Sequence, residues 1–215
     1  MRWMMAILAV ALTAFLIMPI HFRWIGHVTR TGVQVTKVLP TLMCVAFAFA
    51  GLLNGGGRYA LLIFIGLCIG TLADHILGVH FVTGGFLFLT GHLFYMAAFC
   101  RQQKPSWWSL AVFVIALALL WLFVWHFRPK IPHTLLFGGV LLYAATLAAL
   151  LAFALPMPVR AFSARTLLAA LGAFIFVLSD LGVCHGMLCR IGPKQHFLYL
   201  GIYYLAQLLL GLSAF

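Results

Sequence analysis

The sequence predicts an all-α membrane protein: a single bundle of about eight transmembrane helices that takes up residues 1–215 as one domain, with the N- and C-termini on the same side. Three observations carry this expectation. Hydrophobic residues make up 66% of the 215 and charged ones 7%, with a mean hydropathy of +1.17, which excludes an ordinary soluble domain. The apolar residues fall into eight runs, each near the ~20 residues needed to cross the hydrocarbon layer. The only two acidic residues, Asp74 and Asp180, both lie inside such runs.

In chain order the runs cover roughly residues 3–20, 34–53, 59–78, 82–100, 107–126, 133–155, 164–186 and 196–215. Arg2 and the first run have the character of a signal peptide, but no small-x-small cleavage site precedes Pro19, so the run is read as a retained first span. The breaks carry turn and charge punctuation: Asn54-Gly55-Gly56-Gly57-Arg58, Arg101 to Pro105, Arg128-Pro129-Lys130-Ile131-Pro132, Pro156 to Arg160, and Arg190 to Lys194. The connection around His80 to Gly85 is nearly uncharged and the least marked. Trp3, Trp24, Trp107, Trp108 and Trp125 lie near run ends, as an interfacial aromatic belt requires.

The formal charge of +11 comes from 13 Lys and Arg set against the two acids. These bases sit in ones and twos between spans, where they anchor helices to headgroups; no contiguous basic face exists for nucleic acid. The expected location is therefore a multi-pass integral membrane protein, of the kind found in a bacterial inner membrane, with membrane lipids as its surroundings. The loop bases divide equally between the two sides, so the positive-inside rule assigns no orientation. Five cysteines, Cys44, Cys68, Cys100, Cys184 and Cys189, form neither a CxxC knuckle nor a secreted disulfide framework and read as small apolar side chains. Oligomeric state is not legible.

The relative depths of the polar residues are more informative. Runs three and seven cross in the same direction, and the two acids lie 15 and 16 residues past their starts. At 1.5 Å per residue both carboxylates lie about 22 to 24 Å below the surface on which the termini lie, the near side. Spans two, four and eight run the other way, so Lys37 begins at the far surface, and His92, Tyr95, Tyr203, Tyr204 and Gln207 descend towards the same depth. Gly66, Gly70, Asp74 and Gly78 form an i+4 stripe that lets a neighbouring helix approach on the face carrying the acid.

A carboxylate in the hydrocarbon region costs about 2.5 to 3.5 kcal/mol on insertion scales, so one is retained where the bundle interior uses it. Two at equal depth can divide labour, the more desolvated holding a proton while the other, paired to Lys37 or a tyrosine, stays ionised and activates water. The bland alternative is that each acid locks helices together through a base or hydroxyl. Another is a small proton-coupled lipid or solute transporter using the same two aspartates. His75, His80, His92, His185 and Cys184 offer conceivable zinc ligands, but neither HxxxH nor HExxH occurs, and no metal or other cofactor is expected. His21, His27, His126, His133 and His196 read as interfacial. A lysine near a helix end commonly snorkels; Lys37 can equally contact a phosphate.

Five blocks then carry a resemblance. Thr36-Lys37-Val38-Leu39-Pro40, Gly70-Thr71-Leu72-Ala73-Asp74, Gly91-His92-Leu93-Phe94-Tyr95 with Phe99, Phe176-Val177-Leu178-Ser179-Asp180, and Tyr203-Tyr204-Leu205-Ala206-Gln207 resemble, in order, the signature blocks of the YhhN-like lysoplasmalogenase family. Two departures stand out: Val38 follows the lysine where the family often has proline, and Asp180 is followed by Leu-Gly-Val-Cys-His. The resemblance implies an eight-helix hydrolase cleaving the vinyl ether bond of lysoplasmalogens, with ethanolamine or choline headgroups, to a fatty aldehyde and a glycerophospho-headgroup alcohol. It implies Asp74 and Asp180 as the catalytic pair. Lys37, His92, Tyr95, Tyr203, Tyr204 and Gln207 are the expected contacts of the lysophospholipid substrate.

Overall fold

The computed structural model describes residues 30–131 and 134–215, and every regular element among them is helical. Helix α1 (Arg30–Gly51) passes through a π-turn at Leu52–Gly56 into α2 (Gly57–Leu77). Then follow α3 (Phe81–Gln102), α4 (Trp107–His126), a 3-10 turn at Arg128–Lys130, α5 (Thr134–Ala154), the short α6 (Pro156–Arg160), α7 (Ala164–Leu188) and α8 (Pro193–Leu212). The predicted runs two to eight correspond to the seven long helices with ends displaced by a few residues. The predicted first span, with Trp3, Trp24, His21 and His27, lies outside the described residues, as does His133.

Among the described residues, five stretches are long and apolar enough to cross a membrane: Lys37–Leu77, Phe81–Gln102, Trp107–His126, Leu136–Arg160 and Ala164–Leu188. The first is 41 residues long, sufficient for two passes, and it is broken where the sequence places Asn54-Gly55-Gly56-Gly57. Gly55 (φ 89°) and Gly57 (φ 60°) adopt left-handed backbone that a Cβ would disfavour, and Asn54 caps the break by donating to the Ala50 carbonyl at 2.7 Å. Helix α8 has the length of a span but carries Tyr199, Tyr203, Tyr204 and Gln207, which lower its apolarity and supply part of the site.

Packing follows the small residues. A Cβ on Gly66 would fall on the Tyr95 ring and one on Gly70 would meet Gln207 at 3.3 Å, so the predicted glycine face of α2 receives α3 and α8. Gly51 and Gly211 likewise let α1 and the C-terminal end of α8 approach at backbone distance, against Ala214 and the Cys44 carbonyl. Helices α2, α3, α5, α7 and α8 form a ring of neighbours, with α1 bridging α2 and α8 and α4 packed outside on α5. Phe176 of α7 lies at its centre, edge-on to Phe88, His92, Tyr95 and Tyr203. Trp107, Trp108 and Trp125 stand exposed at the two ends of α4, as the belt pattern predicts.

Candidate active site

The start of α7 fixes the depth of Asp180. Ser163 accepts from the Thr166 amide at 3.1 Å while its own amide donates to Thr166 Oγ1 at 3.0 Å, which closes the first turn reciprocally. Asp180 stands 16 residues beyond Ala164, and Asp74 stands 17 beyond Gly57, so the parity of depth expected from the sequence holds in the helices as formed. Both acids line one cavity of about 540 Å³. It is walled by the ends of α2, α4 and α7 and the beginnings of α3, α5 and α8, at the end of the bundle opposite the C-terminus.

Their partners differ. Asp74 is buried; its Oδ1 lies 3.4 Å from Lys37 Nζ and its Oδ2 accepts from Tyr203 Oη at 2.7 Å. Behind it, Gln207 Nε2 donates to Tyr203 Oη at 2.6 Å, and Tyr95 Oη donates to Gln207 Oε1 at 3.4 Å. One end of this chain touches the cavity and the other ends in the core. Tyr203 and Gln207 are an i, i+4 pair, so α8 presents both on one face. Asp180 is half-buried and accepts from Tyr143 Oη at 2.8 Å; no cation pairs with it among the described residues.

Lys37 stands seven residues inside α1, because that helix begins at Arg30 rather than near residue 34. Its ammonium is turned to the acid, with the side chain 25% exposed. Pro40 lacks the amide that would bind the carbonyl four residues back and loosens this turn. The Lys37 carbonyl is bonded by Tyr204 Oη at 2.9 Å, so Tyr204 holds the helix that carries the lysine.

Four of the five short blocks, far apart in sequence, place a residue on one cavity wall while the fifth packs behind it, and residues 33–214 match the model of the YhhN family. The chain belongs to the YhhN family. No curated protein and no solved structure matches it. Of the site residues read from the sequence of this YhhN-family chain, Asp74, Asp180, Lys37 and Tyr203 line the cavity together. Tyr95, Gln207, Tyr204 and His92 do not reach it; the first three support the groups that do. His92 is fully buried in an aromatic cage of Phe176, Tyr143 and Tyr95, and neither ring nitrogen has a hydrogen-bond partner among the described residues.

Three lining residues were not anticipated: Tyr143, Tyr199 and His196. Tyr143 had a signal, since it is the only tyrosine in a long apolar run. His196 had been assigned to the interface; it is exposed and opens onto the same cavity. Tyr199 Oη and His185 Nδ1 share a hydrogen bond at 3.1 Å, and the Tyr199 ring packs in the space left by Gly182. His75 and His80 are exposed, and among the described residues no three His, Cys, Asp or Glu side chains converge.

Proposed function

We propose that the protein is a lysoplasmalogenase-like hydrolase that cleaves the vinyl ether bond of a single-chain lysophospholipid by two-carboxylate acid/base catalysis, without a metal. Membership of a family associated with hydrolase activity supports this reading. The observation that carries it is the unequal partnering of two acids on one cavity. Asp74, beside a lysine, is suited to remain a carboxylate. Asp180 accepts at Oδ2 from a phenol and faces no cation among the described residues, so its other oxygen is suited to carry a proton.

In this mechanism Asp180 protonates the β-carbon of the vinyl ether and the electrons of the double bond form the new C–H bond, leaving an oxocarbenium ion. Asp74 stabilises that cation and takes a proton from the water that attacks the α-carbon, in analogy with glycosidase carboxylate pairs. The hemiacetal then collapses: Asp74 returns its proton to the leaving oxygen, the C–O bond breaks, and Asp180 takes the proton of the hemiacetal hydroxyl as the aldehyde carbonyl forms. One water is consumed and both acids return to their starting states. Lys37, at the polar end of the cavity, meets the phosphate of the headgroup, with His196 beside it.

The same reading takes residues 3–20 as a first span, which completes eight passes and leaves both termini on the side opposite the cavity. Both acids lie in uninterrupted helices, and the break between α1 and α2 lies at the other end of α2; a carrier would be expected to break its helices at the site. The test is incubation of the purified protein in detergent with lysoplasmenylethanolamine. Release of aldehyde by wild type, and its loss in Asp74→Asn and Asp180→Asn, is the expected result. Proton-coupled uptake into liposomes without aldehyde release would replace this reading with the transporter.

A further inference from the structure

The walls of the cavity are unequal. Helices α3 and α5 are neighbours in the ring, yet most of their buried residues lie in their C-terminal halves. In α5 none of residues 136–143 is buried, whereas Ala144, Leu147, Ala148, Leu150 and Leu151 are. In α3 only Gly84 is buried among residues 81–87, whereas Gly91, His92, Tyr95, Ala98 and Phe99 are. Val82, Phe86 and Leu142 line the cavity and are also 56%, 57% and 55% exposed. A side chain that both lines a cavity and faces outward marks a place where the two spaces join. These helices have the length and apolarity of membrane spans, so a join that opens between them is one a lipid chain can reach.

Glycines occur at this join in a particular way. Four glycines line the cavity: Gly85, Gly139, Gly182 and Gly186. Gly182 and Gly186 are filled by Tyr199 and Ile191. Gly85 on α3 and Gly139 on α5 are not; a Cβ on either would meet nothing within 4 Å. Glycine in a helix interior is unfavourable, and among the described residues no packing partner accounts for it. What the two positions share is open space along an apolar wall, with the carboxylates on another.

We propose that the gap between the N-terminal halves of α3 and α5 is a lateral passage through which the hydrocarbon chain of a single-chain lipid enters from the bilayer, and that Gly85 and Gly139 set the chain it accepts. The occupant is an alkyl chain because the join opens within the apolar layer, its lining is apolar, and the cavity's charged groups, Lys37, Asp74 and Asp180, lie beyond it. This inference rests on the hydrolase reading for the identity of the lipid, but the passage itself is testable without turnover.

A Cβ at either glycine meets nothing within 4 Å among the described residues and leucine improves helix propensity, so the variants are expected to fold. Two readouts are taken on wild type, Gly85→Leu, Gly139→Leu and the double variant. In the first, a lysophosphatidylethanolamine with a diazirine at its chain end is photolysed with the protein in nanodiscs and the labelled residues are mapped. Labelling within 82–89 and 136–142, reduced about tenfold or more in the double variant, is expected. Labelling elsewhere, or labelling indifferent to the leucines, overturns the passage. In the second, aldehyde release is measured on lysoplasmenyl lipids of graded chain length. The leucines are expected to lower kcat/KM for long chains about tenfold more than for short ones. Equal losses at all lengths overturn the specificity role. A fall in thermal stability with no change in labelling identifies the face as covered by protein, residues 3–20 included, and overturns the passage. Labelling as expected with no aldehyde from wild type overturns the reaction and leaves the passage standing.

Discussion

Tyr143 of α5 donates a 2.8 Å hydrogen bond to Asp180 of α7, and through it a helix with no acid of its own orients one of the two carboxylates. The donor occupies Oδ2, which directs whatever Asp180 does next through Oδ1. Removing that hydroxyl with Tyr143→Phe is expected to lower kcat by one to two orders of magnitude with little change in KM, because the group orients a catalytic acid rather than the lipid. Stability is expected to change by about 1 kcal/mol. Steady-state kinetics of aldehyde release beside melting in detergent checks both; a raised KM at constant kcat would assign Tyr143 to substrate binding.

Asp74→Asn and Asp180→Asn are each expected to lower turnover about 10²-fold to 10⁴-fold, and the double variant to be little worse than either, since groups that act as a unit are non-additive. Single-turnover rates on the three variants test this. Additive losses would mean that the acids work independently.

The two substitutions are expected to differ in stability. Asp180→Asn removes a carboxylate with no partnering cation among the described residues and is expected to be nearly neutral. Asp74→Asn strands the Lys37 ammonium in a mostly buried site, and Lys37→Met strands the Asp74 carboxylate, so each single change is expected to lower Tm. The double variant Lys37→Met/Asp74→Asn is expected to melt above both singles, because no unpaired charge remains. A double variant that melts at the sum of the two losses would show that the 3.4 Å pair carries no coupling.

Two glycine substitutions separate packing from propensity. A Cβ at Gly66 meets the Tyr95 ring, which Phe176 and His92 hold in place, so Gly66→Ala is expected to cost about 1 to 3 kcal/mol. Gly138 has nothing within 4 Å, and Gly138→Ala is expected to be neutral or stabilising by up to about 1 kcal/mol. Thermal melts decide, and a destabilised Gly138→Ala would indicate a partner at that face.

His92→Leu is expected to leave the protein at least as stable as wild type, since the imidazole has no hydrogen-bond partner for either nitrogen at zero exposure. A marked loss of Tm would reveal a bonding partner, such as a buried water, for the ring.

Much of the fold was legible because hydrocarbon thickness and helix rise are constants. Runs near 20 residues become helices, and two acids equally far from their span starts end at one depth. The glycine face of α2 was legible for the same reason, i+4 spacing being a surface on a helix. What failed to show was rotation and reach across non-adjacent elements. Tyr143 meets Asp180 only because α5 packs on α7, and no local pattern in either helix states that pairing. Lys37 read as an end residue because polar neighbours precede it, yet α1 continues through them to Arg30. Tyr203 and Tyr204 are adjacent in sequence but about 100° apart on the helix; one serves the acid and the other a backbone carbonyl beside Pro40.

The cavity's two kinds of boundary bear on how a reaction there would end. Its charged end lies beside His196 and the loop ahead of α8, whereas its apolar end opens between α3 and α5, where the proposed passage would meet the bilayer. Cleavage of a lipid lying across both would yield one fragment soluble only in oil and one soluble only in water. Each would depart by the boundary that suits it, and the two would not meet again at the site. Recombination would then be prevented by partition rather than by any barrier in the chemistry.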